Sequence, residues 1–399
     1  MVCAPGLDLD VLDGVTELVD QHLIRRRAGT GGEVRFDVLE TIREYAHERL
    51  RESGEADATR TRHSDHFAAL AERGAEELSG PDQAAWLRRL EEEHSNVRAA
   101  LDRLIEAGAA DRALGLADSM WRFWAGHGHM TEGRARLAAA LALGGSPGPR
   151  GMALRAAGAI ARLQGDLRDA ERFLAQAIDC AEEAHDELAG ARAKQTLGNV
   201  AVGLEEFDRA EELFDEALET FRGIGHAAGA AATLSSQGVL ARRRGDLANA
   251  ERIAAEVLEL DREAGDERSV IVSLINLSYA KLQLGRTGEA GRLLEEGLEL
   301  SRGLGDSITT LHCLEDLARV AAAEQDDLRA ARLWGAVDRL LGELDIHPSE
   351  GDLAERDALI ADSRRRLGAS AFDAARAAGS ALAADEAADS ALGDRGASQ

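Results

Sequence analysis

Gly165-Asp-Leu-Arg-Asp-Ala170 returns in altered spelling every forty residues. The later occurrences are Glu205-Glu-Phe-Asp-Arg-Ala210, Gly245-Asp-Leu-Ala-Asn-Ala250, Gly285-Arg-Thr-Gly-Glu-Ala290 and Gln325-Asp-Asp-Leu-Arg-Ala330. Alanine is common in this chain, so one alanine column alone proves little. Other columns keep the same step. Three residues beyond each alanine stand Phe173, Leu213, Ile253, Leu293 and Leu333, and twelve before it stand Gly158, Gly198, Gly238, Ser278 and Ala318, all small. Sixteen before it stand Leu154, Leu234, Leu274 and Leu314, with Lys194 as the polar exception. Joints at His185-Asp186, Gly225-His226, Gly265-Asp266 and Gly305-Asp306 separate the units.

Each unit reads as two amphipathic helices around a turn, because apolar residues recur at three- and four-residue spacing on both sides of the Gly-Asp phrase. Glycine there suits a helix C-cap and the following aspartate suits the next N-cap. The small column and the alanine column let the two helices approach closely, where larger side chains would push them apart. A lone helix pair cannot bury its stripe, so the units are expected to stack into an all-α solenoid.

Composition agrees and excludes several function classes. The 399 residues carry 47 Lys+Arg against 73 Asp+Glu, a formal charge of −26, so counterion-driven nucleic-acid binding is disfavoured. No apolar run is long enough for a membrane helix, and no secretory signal opens the chain. Cys3, Cys180 and Cys313 lack metal-type spacing and fit a reducing cytoplasm. Lys194 and Lys281, both preceded by alanine, are the only lysines, so this chain contains no phosphate loop ending in Gly-Lys.

The order of small residue, Gly-Asp turn, alanine and bulky residue (Leu174, Phe214, Ala254, Leu294, Trp334) resembles the tetratricopeptide repeat. The usual repeat is 34 residues, so a step of forty implies longer helices or loops. Five units run from about 150 to 345. A sixth, degenerate one is expected before them, with Trp121, Phe123 and Trp124 on its first helix and Gly128 to Gly133 as its turn. Gly144-Gly-Ser-Pro-Gly-Pro149 then reads as a loop.

The N-terminal segment does not fit the repeat. Val11 to Leu23 reads as a helix, and Leu23 to Arg27 with Glu33 to Leu39 as a β-hairpin around Gly29 to Gly32. Thr41 begins a second helix, with Thr41-x-x-Glu44 as a capping box. Leu18-Val-Asp-Gln-His-Leu-Ile24, Leu39-Glu-Thr-Ile-Arg-Glu-Tyr-Ala-His-Glu-Arg-Leu50 and Glu93-His-Ser-Asn-Val-Arg-Ala-Ala-Leu101 resemble segments of large actinobacterial regulators. Those are signal-transduction ATPases with an NB-ARC-type nucleotide module, a winged helix and a tetratricopeptide sensor arm, often with a LuxR-type DNA-binding domain. The resemblance implies a partial winged helix over 1–55, connecting helices over 56–110, helical repeats over 111–345, and C-terminal helices with a flexible tail over 346–399. It implies a cytoplasmic recognition arm in transcriptional regulation, or else a piece of an ATP-dependent regulator whose nucleotide and DNA-binding modules lie outside this chain.

No catalytic constellation emerges. His63 and His66 share a helix face without a third ligand, His127 and His129 read as turn polarity, and adjacent His312 and Cys313 point in different directions. Arg25-Arg26-Arg27 is a basic run on the hairpin, weak evidence for phosphate contact. We expect no enzyme activity, no metal and no cofactor.

The concave face, lined by the first helix of each unit, is the candidate site. Family positions place Arg155, Arg162, Arg192, Gln195, Asn199, Arg242, Tyr279 and Arg319 there, with Ser235, Gln283, His312 and Glu315 beside them. Guanidinium forks recognise carboxylates, so the expected partner is a protein or an acidic or C-terminal peptide, with an anionic small molecule as second candidate. The bland alternative is that the arginines pair with glutamates of neighbouring units and bind nothing.

Overall fold

The computed structural model describes residues 11–28, 34–80, 82–348 and 350–393. The hairpin turn Gly29 to Gly32, Cys3 and the last six residues of the expected tail lie outside them.

Ten helices realise the forty-residue stride. The first helices of the units are α7 (Pro147–Leu163), α9 (Glu187–Gly203), α11 (Ala227–Arg243), α13 (Glu267–Gln283) and α15 (Ser307–Ala323). The second helices are α8 (Leu167–Ala184), α10 (Phe207–Gly223), α12 (Leu247–Ala264), α14 (Thr287–Leu304) and α16 (Asp327–Glu343). The extra length over a 34-residue repeat therefore lies in the helices, whose connections are only two or three residues long. Ala170, Ala210, Ala250, Ala290 and Ala330 are all buried. Glycine is needed in the small column of the first two units, although Ser278 and Ala318 take that place in the units of Leu294 and Trp334. A Cβ on Gly158 would lie 2.7 Å from Leu174 Cγ, and one on Gly198 2.5 Å from Phe214 Cε1.

Caps follow the expected chemistry with exceptions. Asp186, Asp266 and Asp306 at the joints each accept a backbone N–H of the next helix. His226 does the same through its imidazole. Within units, Asp246 and Asp326 cap but Asp166 does not. Gly165, Gly245 and Gly285 take positive φ at the turn, whereas Glu205 and Gln325 adopt that conformation at φ 61° and 63° without being glycine.

Ahead of the repeats come α3 (Ala56–Glu77), α4 (Gln83–Glu106), α5 (Ala110–Gly126) and α6 (Met130–Leu141). The last two form the sixth, degenerate unit, with Phe123 and Trp124 in the core. Its turn is shorter than expected, since Met130 to Gly133 already belong to α6. Likewise Pro147 and Pro149 are not loop residues: they occupy the first turn of α7, where the missing N–H costs nothing. The N-terminal part is α1 (Val11–Asp20), the antiparallel pair β1 (Ile24–Ala28) and β2 (Val34–Val38), and α2 (Glu40–Glu52). The capping box is absent: Leu39 is the N-cap of α2 and no side chain caps it. The hairpin docks through Arg35, whose guanidinium reaches Glu92 at 3.0 Å and Glu93 at 2.9 Å on α4.

After the fifth unit come α17 (Glu350–Leu367), α18 (Ala369–Ser380) and α19 (Ala384–Gly393). Phe372 on α18 is fully buried, and α18 packs closely on α16.

The superhelix closes on itself. Helices α4 and α5 touch α14 and α15, so the first and last units share one core. Gln83 at the start of α4 accepts the backbone N–H of Arg268 at 3.1 Å. His347 donates its backbone N–H to the Gln164 carbonyl at 3.0 Å, and Thr131 bonds Asp345 at 3.2 Å. Among the described residues no helix is long and apolar enough to cross a membrane.

Candidate ligand-binding groove

Because side chains one or two turns apart fall on one face of a helix, the inner surface is lined by a fixed subset of α5, α7, α9, α11, α13 and α15. The arginines expected there differ sharply in their partners.

Two are already paired. Arg155 gives Nη2 to Asp118 on α5 at 3.1 Å and lies 5.2 Å from the Trp121 ring. Arg319 reaches Asp316 at 2.7 Å and Glu315 at 3.0 Å, with Glu355 of α17 at 3.9 Å, and its side chain is only 10% exposed. Burial opposes its charge, yet the three carboxylates outweigh burial and hold its pKa above the usual arginine value. These two are paired, but with an aspartate of α5 and with carboxylates of Arg319's own helix and of α17 rather than with glutamates of neighbouring units.

Others form no ion pair among the described residues. Arg162, at the end of α7, has no ion pair or side-chain hydrogen bond among the described residues, and its Nε is buried without a partner. Burial lowers its pKa, and Arg268 lowers it further. Arg192 is exposed and, among the described residues, hydrogen-bonds the His226 ring alone, at 3.4 Å; the surrounding protein and then Arg155 lower its pKa. Arg242 stacks on Tyr279 at 3.9 Å, with its Nε also buried and unpartnered. Gln195 donates to Ser236 Oγ at 2.9 Å, and Asn276 to Ser235 Oγ at 3.2 Å. Asn199 is half-buried beside this row.

Sequence reasoning missed two contributors. Arg122 near the end of α5 bonds Ser79 and sits 5.7 Å from the Trp121 ring. Although it keeps contact with solvent, the surrounding protein, then Arg155 and Arg268, hold its pKa down to about 10. Arg268 pairs with the buried Asp306 at 2.6 Å, which raises its pKa. Arg268 is brought to α4 and α5 by the ring closure, which no repeat pattern encodes.

The helix α17 lies against this surface and supplies its own carboxylates. Asp352 stands 3.5 Å from Arg243 at the end of α11, and Glu355 faces Arg319.

The histidines fall elsewhere. His94, His129 and Glu132 bring their ligand atoms within 4.8 Å of one another. Each is already satisfied by protein. Trp124 Nε1 donates to His94 Nε2 at 3.3 Å, His129 Nε2 meets Glu91 at 3.2 Å, and Glu132 Oε1 takes Arg136 at 2.6 Å and Arg98 at 2.9 Å. With Phe123 stacked on His127 this is a packing element that joins α4 to the α5–α6 turn. His63 packs on Phe67 at 4.5 Å, and Cys313 is buried, its thiol pKa pushed above the usual range by desolvation.

Burial lowers the pKa of His94, with His129 adding to the effect, and burial lowers that of His127. The unfolded chain therefore binds these protons at a higher pH than the folded one. Their neutral forms support stability fully above about pH 6.5, and that support is lost as pH falls through the folded values. Thermal unfolding at pH 7.5 and 5.5 is expected to show a lower melting temperature in acid. The difference should shrink in a His94→Asn, His127→Asn variant; an equal slope in that variant would reject the assignment.

Comparisons with known proteins place this architecture. The structure is similar to a signal-transduction ATPase with a tetratricopeptide repeat sensor from Pyrococcus horikoshii, with TM-score 0.54 and 15% identity over 89% of this chain and 49% of that one. It is also similar to a Rap protein solved in complex with Competence and Sporulation Factor, with TM-score 0.51 and 13% identity over 83% and 99%. Proteins named as HTH-type transcriptional regulators of Mycobacterium tuberculosis and Mycobacterium bovis are 41% identical over 136 residues. That match covers 33% of this chain and 15% of each regulator. The MalT-like TPR region model matches residues 152–378, more than half of the chain. The stride, the paired helices and this match together establish that the chain belongs to the MalT-like TPR family.

Proposed function

We propose that this chain is a non-enzymatic recognition arm of a bacterial transcriptional regulator, holding an acidic protein or peptide segment along the concave face. The observation that carries the reading is the pair of inner-face arginines, Arg162 and Arg242, that form no ion pair among the described residues and keep a buried, unpartnered Nε, in a chain whose net charge is −26. A buried, under-partnered guanidinium is costly to keep unless something arrives to pair with it. The contacts of α17 supply an internal example, since Asp352 and Glu355 meet arginines of the same surface. The likeness to a Rap protein solved in complex with Competence and Sporulation Factor supports a fold of this kind as one that can hold a partner. Partner binding here needs no cofactor, and the location is the cytoplasm.

Selection from a random peptide display library against the purified chain tests this. Enrichment of Asp- and Glu-rich peptides is expected, and an Arg162→Glu, Arg242→Glu variant should lose them almost completely. Unaltered capture by that variant would discard the groove.

A second reading rests on the likeness to the ATPase with a tetratricopeptide sensor and on the small share of the mycobacterial regulators that this chain spans. Here the arm belongs to an ATP-dependent regulator, and partner capture controls a nucleotide module encoded elsewhere. Flanking genomic sequence carrying a phosphate loop in frame would decide for it.

A further inference from the structure

The third of the five units, α11 with α12, lacks the bulky side chain that closes the other four. Leu174, Phe214, Leu294 and Trp334 fill that column in their units, and each is at most 1% exposed. The third unit has Ala254 there, with Gly238 in the small column across from it. A Cβ on Gly238 would first meet Ile253 Cγ2, at 3.2 Å, and not a side chain of the bulky column as in the first two units. Packing is thin at this place: Ala250 belongs to a buried cluster of three alanines, with Ala241 and Ala280.

The missing side chain leaves a hollow of about 250 Å³, its open mouth included. Buried Gly238, Ala250 and Ala254 make its floor. Half-buried Ser235, Val239, Arg242 and Asn276 surround that floor on the inner face. The floor is apolar, so a polar occupant would leave its own groups unpaired. Sites that enclose a whole small molecule run to about 300–1,000 Å³, and this hollow is smaller. One short branched aliphatic side chain fits both limits, and it would restore the packing that the other units draw from their own residues.

The mouth carries a charge. Arg242 forms no ion pair among the described residues, keeps a buried and unpartnered Nε, and is held over Tyr279 at 3.9 Å. Asp316 is near enough to feel that charge, but its carboxylate accepts from Arg319 at 2.7 Å. On the other wall Asn276 Nδ2 donates to Ser235 Oγ at 3.2 Å. Successive residues of an extended segment advance only about 3.3 Å, so a carboxylate next to the seated side chain can reach the guanidinium.

We propose that this hollow anchors one short branched aliphatic side chain, valine or leucine in kind, of an acidic peptide segment, whose adjoining carboxylate is taken by Arg242. The proposal rests on the inner face being the binding face, and it names a feature of the partner that charge alone does not.

Peptide display against the full chain and against an Ala254→Leu variant tests the anchor. From the parent, acidic peptides are expected with Val, Leu or Ile at a constant spacing from an Asp or Glu. Ala254→Leu puts into the hollow the side chain that the first and fourth units already carry. It should melt at the parent temperature or higher, as cavity filling does. By fluorescence anisotropy it should bind a parent-selected peptide about tenfold more weakly or worse, and Ala254→Val should fall between. Replacing the aliphatic residue of that peptide by glycine should weaken the parent about tenfold and leave the Ala254→Leu variant little changed. Acidic peptides without an aliphatic preference, or equal affinity of the parent and Ala254→Leu chains, would overturn the anchor and leave the acidic groove standing. An Ala254→Leu chain melting several degrees lower would also overturn it, since the hollow would be too narrow for a side chain. If the parent selects no acidic peptide, the groove reading fails first and the anchor with it.

Discussion

Gly335→Ala or Gly379→Ala is expected to detach α18 from the last repeat. A Cβ on Gly335 would stand 2.0 Å from the Arg376 carbonyl oxygen, and one on Gly379 1.9 Å from the Arg332 carbonyl oxygen. Each glycine thus lies against the backbone of the other helix, and backbone cannot rotate aside as a side-chain end can. Relief requires moving the helices apart. That would break the Ser380 Oγ bond to the Gly335 carbonyl at 3.0 Å, and stretch the Arg376–Asp338 pair at 2.8 Å. It would also expose Phe372 and Trp334, both fully buried. Overpacking of this kind costs about 3 kcal/mol. Either variant should melt well below the parent and release a C-terminal fragment on brief proteolysis near Gly368. A parental melting curve for both variants would show that the α16–α18 crossing is wrong.

The second large effect is expected at Asp306, which is 2% exposed and serves several partners. It accepts the backbone N–H groups of Ile308 and Thr309 at 3.0 Å, pairs with Arg268 at 2.6 Å, and lies 3.3 Å from the position of a Cβ on Gly126. Asp306→Ala removes an N-cap and leaves a guanidinium facing other guanidiniums. Losing one partner of a buried pair costs about 3–5 kcal/mol, and the lower end applies because Arg268 is 33% exposed. Asp306→Asn keeps an oxygen for the cap and should fall between. Denaturant unfolding measures both; an alanine variant within about 0.5 kcal/mol of the parent, the range of ordinary surface changes, would mean that the closure contributes little.

The repeat was readable because a solenoid is specified by neighbours. Ala170 and its equivalents, and Gly158 against Leu174, repeat a local packing problem that each unit solves alike. The ring closure was hidden for the same reason. Gln83 meets Arg268, and Gln164 meets His347, across more than 180 residues, at contacts that occur once and leave no periodic trace. Site residues divided along this line. Positions 155, 162, 192 and 242 were read from the stride, while Arg268, which pairs with Asp306 and meets Gln83 across the closure, was not. The pairing of Arg319 with Asp316 and Glu315 lay open in the helical spacing, whereas its third partner, Glu355, comes from α17, outside the repeats. Thr41 misled in another way: its capping pattern was present, but α2 begins at Glu40, one residue too early for Thr41 to be the cap.

Hydrogen–deuterium exchange of the chain with and without a display-selected acidic peptide locates the bound segment. Slowed exchange confined to α7, α9, α11 and α13, centred on Arg162 and Arg242, is the expected result. Protection on α8, α10, α12 and α14 with the first helices unchanged would place recognition on the outer surface and contradict the groove.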